Sequence, residues 1–461
     1  MQMKFPYKHA HFVGIKGAGM ASLAMILKAH GISVTGSDSE EIFFTDILLR
    51  KAGIKVFSPF SQKNISRFVD VIVYSTAYNQ ETNEEISFAE EQKIPSYSYP
   101  EFLGMITKQK MSVAVSGTHG KTTTTAMLGH VLNFLDKEPS ALVGSEVLNW
   151  KSGALSGTGP YFIFESDEYQ NKFRYYYPWS LIITNVTWDH PDFFPTKEEY
   201  ENTFKKYVEK IPLHGWIVVS NDDLGALKVT ENVASRRLTY GYHKDSKYRI
   251  FELSSQKGFA QSFSIQKEGK ELGIFSLQLL GKHNIQNATA VIAFCDALGI
   301  PLEMVGTALK NFLGTTRRME KKGEYKKALL YDDYAHHPEE IEASLLALRK
   351  TYPKRKIITV FQPHTFSRTE TFMDSFALAL DYADVVLLLD IYASAREKVG
   401  TISSDDLVAK INHITPEKAL NVHSLEKAEQ ILLHSLDKNI VLVTMGAGDV
   451  WRVGESILKN K

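Results

Sequence analysis

A chain of 461 residues, 44% hydrophobic and 23% charged, is long enough for about three globular cores and has an ordinary water-soluble composition. Its 53 basic and 53 acidic side chains balance to a formal charge of +0, which argues against nucleic acid or an acidic membrane surface as a partner. One cysteine, Cys295, excludes a disulfide framework, and no apolar run approaches the ~20 residues of a membrane span, so a cytoplasmic protein is expected.

Residues 8 to 108 read as βαβ units. His11–Ile15 is a predicted strand, Gly17-Ala18-Gly19 opens a helix over Met20–His30, and a second strand, Ser33–Gly36, ends at Ser37-Asp38. Strands at Val71–Tyr74 and near Pro95–Tyr97 continue a parallel sheet. Gly14, Gly17 and Gly19 with Asp38 suggest a pyrophosphate seat at a helix N-terminus. The third glycine of the dinucleotide fingerprint is replaced by Ser22, so NAD and a UDP-sugar fit equally.

The strand Met111–Val115 then runs into Gly117-Thr118-His119-Gly120-Lys121-Thr122-Thr123 and a helix reaching about Phe134. Such a turn directs backbone N–H groups at phosphate, with Lys121 reaching the terminal phosphates and the Thr122 hydroxyl ligating Mg²⁺. Val115 stands where the usual spacing has glycine, giving a shorter G-x-x-G-K-T loop. Two further strands, Tyr161–Phe164 and Ser180–Thr184, end in Glu165-Ser-Asp-Glu168 and Asn185-Val-Thr-Trp-Asp-His190. Ligands bind outside the carboxyl ends of parallel strands, so Glu165 and His190 should face the crevice that holds Lys121. Residues 215 to 280 alternate in short runs and predict an antiparallel insertion. Asn284 and Asn287 open the next helix, Asn284 as a cap or, with Asn287, as an amide for an adenine edge.

From Gly314 a third α/β segment begins, with Arg317-Arg318 as a predicted phosphate clamp. The strand Ala328–Tyr331 leads into Asp332-Asp-Tyr-Ala-His336-His337-Pro338-Glu339. Adjacent histidines followed by proline, without an H-x-x-x-H or cysteine partner, argue against zinc. Strands Lys356–Phe361, Val385–Leu389 and Ile440–Thr444 complete a second doubly wound sheet.

These motifs stand in the order found in Mur ligases: Gly-Thr-His-Gly-Lys-Thr-Thr, Glu-x-Asp-Glu, Asn-x-x-x-Asp-His, Gly-x-His-Asn-x-x-Asn-Ala, Arg-Arg and Asp-Asp-Tyr-x-His-His-Pro. The chain resembles that family over nearly its whole length. The resemblance implies an α/β fold of three domains: a Rossmann-like UDP-sugar domain (1–108), a P-loop ATPase-like domain with a small antiparallel insertion (109–313), and a Rossmann-like amino-acid domain (314–461). Gly14, Gly17, Ala18, Gly19, Ser37 and Asp38 would bind the UDP-sugar. Gly117, Thr118, His119, Gly120, Lys121, Thr122, Thr123, Asn284, Asn287 and Arg318 would bind ATP, and Thr122, Glu165 and His190 would hold Mg²⁺. Tyr334, His336, His364 and Arg368 would bind the amino acid, with Lys121, His190, Arg318 and His337 as catalytic groups and His190 or His337 taking the amine proton.

Phe361–Thr369, Asp390–Glu397 and Met445–Gly448 are similar to the branch that joins L-alanine to UDP-N-acetylmuramate through an acyl phosphate, in a monomer or weak homodimer. The Asp-Glu-Tyr form at 167–169 is similar instead to a muropeptide-recycling branch that attaches a tripeptide to the same acceptor.

Overall fold

The structure, a computed structural model, describes residues 4–254, 261–393 and 400–460. Three sheets succeed one another along the chain. In the first, β1 (His9–Val13), β2 (Ser33–Ser37), β3 (Lys55–Phe57), β4 (Val71–Tyr74) and β5 (Ser96–Ser98) are all parallel in the order β3-β2-β1-β4-β5. The order reverses between β1 and β4, and the Gly14–Gly19 turn leaves β1 at that switch point, where such sheets bind ligands. Helix α1 (Ala18–Ala29) follows. Its Ala, Leu, Met and Ile are strong or tolerable helix formers, and Gly31, at φ +87°, lets the chain turn away past its end.

The second sheet has ten strands: β6 (Met111–Ser116), β7 (Ser140–Val147), β8 (Ser152–Leu155), β9 (Tyr161–Glu165), β10 (Ser180–Ile183), β11 (Trp216–Ser220), β12 (Arg236–Gly241), β13 (Tyr248–Ser254), β14 (Gln261–Lys267) and β15 (Lys270–Leu277). β6 lies between β9 and β10, parallel to both, so the loop after it emerges beside the ends of those two strands. The antiparallel insertion predicted over 215–280 is narrower than expected. β11 and β12 are parallel to the sheet, and only the β13–β14–β15 meander runs antiparallel, extending the same sheet. Short alternating runs mark strands but do not say which edge they join.

The third sheet orders β16 (Glu320–Tyr325), β17 (Ala328–Asp333), β18 (Lys356–Phe361), β19 (Val385–Leu389), β20 (Ala419–His423) and β21 (Ile440–Met445) as β16-β17-β21-β18-β19-β20, parallel except for β16. Of the Asp390–Glu397 stretch, Ser394 to Glu397 lie outside the described residues.

The cores divide unevenly. Phe12, Leu23 and Phe102 of the first sheet's layers share one buried cluster with Ala114, Phe164 and Leu181 of the second, and Ser22 of α1 donates to the Val143 carbonyl at 3.1 Å. The third sheet keeps separate cores, around Phe361 and Phe376 on one face and Val360 and Leu442 on the other. Among the described residues no helix is long and apolar enough to cross a membrane.

Candidate active site

The loop after β6 enters helix α2 (Lys121–Phe134), whose residues Thr122–Leu132 are buried. Gly120 caps it in the left-handed conformation at φ +80°, and a Cβ there would stand 2.8 Å from the Asn287 side-chain oxygen. Asn287 comes from α3 (Lys282–Ala297), so the glycine lets an otherwise distant helix close over the loop. Gly120→Ala is therefore expected to displace Asn287 as well as strain the turn, raising the Kd for ATP by about tenfold or more in calorimetric titration.

Lys121 is folded back on its own loop, donating to the carbonyl oxygens of Gly117 and Thr118, the latter at 3.0 Å. Its ammonium is 3.8 Å from Glu168, whose Oε2 is buried with no hydrogen-bond partner. Thr122 donates to Glu165 Oε2 at 3.0 Å, and the Gly144 amide donates to Glu165 Oε1. Burial pushes the Glu165 carboxyl up, only partly opposed by those donors and by Arg318 and Lys121. A hydroxyl and a carboxylate oxygen side by side are the hard donors that a divalent cation takes. His190 does not join that pair. It sits in a left-handed turn (φ +56°) with Nε2 3.9 Å from Glu168 and 3.8 Å from Asp189, against the ring of Tyr169.

The two predicted clamp arginines separate. Arg317 turns inward to Asp332 (3.3 Å) and the Gly446 carbonyl (2.7 Å), whereas Arg318 faces the cleft, 3.5 Å from Thr122 Oγ1 and 3.5 Å from Glu340. The chain turns before β16, with Arg317 in the left-handed conformation at φ +58°, and the two neighbouring side chains part there, which a doublet in sequence conceals.

Glu340, not singled out by the sequence, is the hub here. It lies in the first turn of α4 (Pro338–Thr351), accepts from the His336 amide at 3.1 Å, and stands 3.1 Å from His119 Nδ1. Burial opposes its charge, but His119, His336 and Arg318 hold the carboxyl well below the usual range. His119 in turn is raised to about 9: burial lowers it, and Glu340 and Glu339 more than compensate. The ligand atoms of His119, His337 and Glu339 lie within 4.8 Å of one another, a grouping of metal-ligand types across the fold that spacing alone did not show.

One cleft brings together His119, Gly120, Asn284, Asn287 and Arg318, and is lined also by His283 and Tyr240, which the sequence did not single out. Asn284 is not a helix cap. Gly281 holds that position and the Asn284 amide donates back to the Leu280 carbonyl at 2.7 Å. His283 is lowered to about 4 by burial and presents a neutral ring.

A second, larger cleft continues from it, lined by Ala18, Lys121, Thr122, Glu165, Asp189, His190, Tyr334 and His336. A smaller crevice joins Gly17, Ala18 and Gly19 to Gly144 and Glu165, so the first glycine turn opens directly beside the Thr122–Glu165 pair.

Several predicted residues stand elsewhere. Asp38 is buried and its oxygens take the amides of Lys16 (2.7 Å) and Ser39 (2.8 Å), while Ser37 donates to buried Glu85; both brace the glycine turn from behind. At Gly14 a Cβ would stand 2.8 Å from Tyr78 and 2.9 Å from Ser75, so the turn packs tightly there. His337 caps α4, is buried against His119 and Phe372, and is lowered to about 4, first by burial and then by His119. A ring so placed is a poor choice for taking the amine proton at neutral pH. His364 stacks on Tyr392, and Arg368 is engaged by Asp189 through Nε at 3.1 Å and Nη2 at 3.3 Å.

Comparison with known proteins agrees with this anatomy. Residues 9–111 match the Mur ligase family catalytic domain, 115–295 the Mur ligase middle domain and 317–448 the Mur ligase glutamate ligase domain. A UDP-N-acetylmuramate–L-alanine ligase of Desulfitobacterium hafniense (strain Y51) is 42% identical over 98% of this chain and 99% of its own. One from Streptococcus pneumoniae (strain CGSP14) is 39% identical over 96% and 95%. The crystal structure of the UDP-N-acetylmuramate–alanine ligase MurC of Thermotoga maritima superposes with a TM-score of 0.83 at 30% identity, covering 98% of both chains. With the phosphate loop, the Gly14–Gly19 turn and all three sheets in place, the chain belongs to the Mur ligase family.

Proposed function

We propose that this protein is an ATP-dependent ligase that joins L-alanine to the lactyl carboxylate of UDP-N-acetylmuramate, releasing ADP and phosphate. The observation that carries the reading is the continuous cleft. It runs from the Gly17–Gly19 turn past Thr122 and Glu165 to Asp189, His190 and Tyr334, so one acceptor can touch a sugar-nucleotide seat, a phosphoryl donor and an amine site. Relatives of 39–42% identity that carry this activity by name support the choice of substrates. ATP and nucleotide-activated sugars are both cytoplasmic, and the reading places the enzyme there.

The acceptor carboxylate attacks the γ-phosphorus in line, forming an acyl phosphate as ADP leaves. Lys121 and Arg318 both line the cleft and would supply positive charge to that phosphoryl group as negative charge builds. Thr122 and Glu165 would hold Mg²⁺, which would supply Lewis-acid chemistry there, with Glu168 and His190 nearby. The amine then attacks the acyl carbon and phosphate departs. Of the two imidazoles named from sequence, His190 reaches the cleft and is the one placed to take the amine proton.

The test is phosphate release from Mg-ATP with UDP-N-acetylmuramate, with L-alanine compared against L-alanyl-D-glutamyl-diaminopimelate and Lys121→Ala as the blank. Release that requires L-alanine is expected. Release only with the tripeptide would replace this reading with the recycling ligase, and release without any acceptor would leave only an ATPase.

A further inference from the structure

Arg368 is the residue a sequence reader assigns to the amino acid's carboxylate, yet it does not face the cleft. It is 4% exposed and lies behind Asp189, which lines the cleft together with His190, Tyr334 and His336. Asp189 comes from the loop after β10 and Arg368 from the segment after β18, so the pair spans two sheets. Two of the guanidinium's nitrogens, Nε and Nη2, go to Asp189, and its Nη1 turns to His364, 3.4 Å from the carbonyl and 3.5 Å from Nδ1. Asp189 Oδ1 already accepts from Arg368 and from the His190 amide at 2.7 Å. Among the described residues Oδ2 accepts only from Arg368 Nη2, with His190 Nε2 at 3.8 Å, and a carboxylate oxygen has two acceptor positions. A buried, held carboxylate that lines the cleft thus keeps one acceptor position.

We propose that Asp189 receives the α-ammonium of the incoming amino acid, and that Arg368 is a positioning residue that holds this carboxylate across the interface instead of binding the substrate's own carboxylate. The inference rests on the amino-acid ligase reading above and names the residue that recognises the amine. An ammonium on Oδ2 would complete the carboxylate's hydrogen bonding and fix the nitrogen beside His190. A side chain that binds only through a second residue leaves a distinct signature: its loss harms every ligand that carries an ammonium and spares one that carries only a carboxylate.

L-Alaninamide, which keeps the ammonium and lacks the carboxylate, and propionate, which has the reverse, separate the two roles as inhibitors competing with L-alanine. Asp189→Asn is expected to raise the KM for L-alanine and the Ki for alaninamide together, by about ten- to a hundredfold, with the KM for ATP and the Ki for propionate unchanged. Arg368→Lys should raise the alaninamide Ki in the same direction. Because Asp189→Asn leaves a buried arginine unpaired, the double variant Asp189→Asn/Arg368→Gln removes both charges and is expected to show the same selective loss. An Arg368→Lys or double variant that loses propionate and keeps alaninamide would overturn the assignment, as would Asp189→Asn with unchanged alaninamide inhibition. Failure of the wild-type enzyme to turn over L-alanine is a different result, and would refute the ligase reading itself.

Discussion

Replacing Lys121 with alanine is expected to lower kcat by about 10³-fold or more while the folded protein persists, measured as ADP formation beside a thermal melt. The Lys121 ammonium is satisfied by carbonyl groups of its own loop and lies 3.8 Å from Glu168 Oε2. Those carbonyls are weak competitors for an ammonium compared with a γ-phosphate, so binding of ATP draws the side chain outward at little cost. Removing it deletes a charge that is used most where negative charge accumulates, so kcat falls further than KM rises. Stability should change little, because the loop backbone is fixed independently: Thr118 donates to the Thr187 carbonyl at 2.6 Å, and the His119 amide donates to Asn185 at 2.8 Å. A loss of less than tenfold would show that Arg318 and the cation carry the phosphoryl charge without it.

Elements with strong periodicity and clear punctuation were legible in the sequence. The strands at Val71–Tyr74, Lys356–Phe361 and Val385–Leu389 occur with those bounds, and the helix after Lys121 ends at Phe134. Continuous apolar runs bounded by turn residues leave few alternatives. The strands β7, β8 and β16 escaped notice. β16 reads Glu-Lys-Lys-Gly-Glu-Tyr, an edge strand whose charges give no apolar signal, and only pairing with β17 makes it a strand.

The site divides in the same way. Gly117, Lys121 and Thr122 follow from the chemistry of one local turn and Glu165 from the end of a neighbouring strand, and the structure sets Glu165 against Thr122. Asp38 shows the limit of such reading, because a carboxylate at the end of a second strand can face a ribose or brace the preceding turn, and here it accepts from the Lys16 amide 2.7 Å away. Glu340 was missed because it acts by meeting a loop 221 residues earlier in the chain, and no spacing rule reaches that far.

How the third sheet meets the other two follows from what sits between them. The first two share an apolar core, which favours one relative placement, whereas the site-facing contacts to the third are ion pairs: Arg368 with Asp189, and Glu340 and Glu339 with His119. Such contacts are directional and depend on charge state, so they can form and break with ligand in a way that a shared core cannot. His119 lies within the phosphate loop, so these pairs tie the third sheet's layer to that loop.

The pH dependence of stability should report this coupling. A histidine raised from its ordinary value to about 9 binds its proton more tightly when folded than when unfolded. Its contribution is therefore fully present below about pH 6.5, declines as pH climbs, and is lost above about 9. At its full extent the shift is worth about 3 kcal/mol, a sizeable part of a typical folding free energy. Wild-type stability in urea is expected to fall between pH 7 and pH 9.5 more steeply than that of Glu340→Gln, in which the main attraction on His119 is gone. The glutamine variant should be less stable at pH 7 by about 3 kcal/mol, because it leaves an imidazole buried between layers with its partner neutralised and Arg318 without its carboxylate. It should also bind ATP more weakly, since both His119 and Arg318 lose the group that aims them at the phosphates. Parallel pH profiles for the two proteins would mean that His119 is neutral in the folded state. The carboxylates of α4 would then act on Arg318 alone.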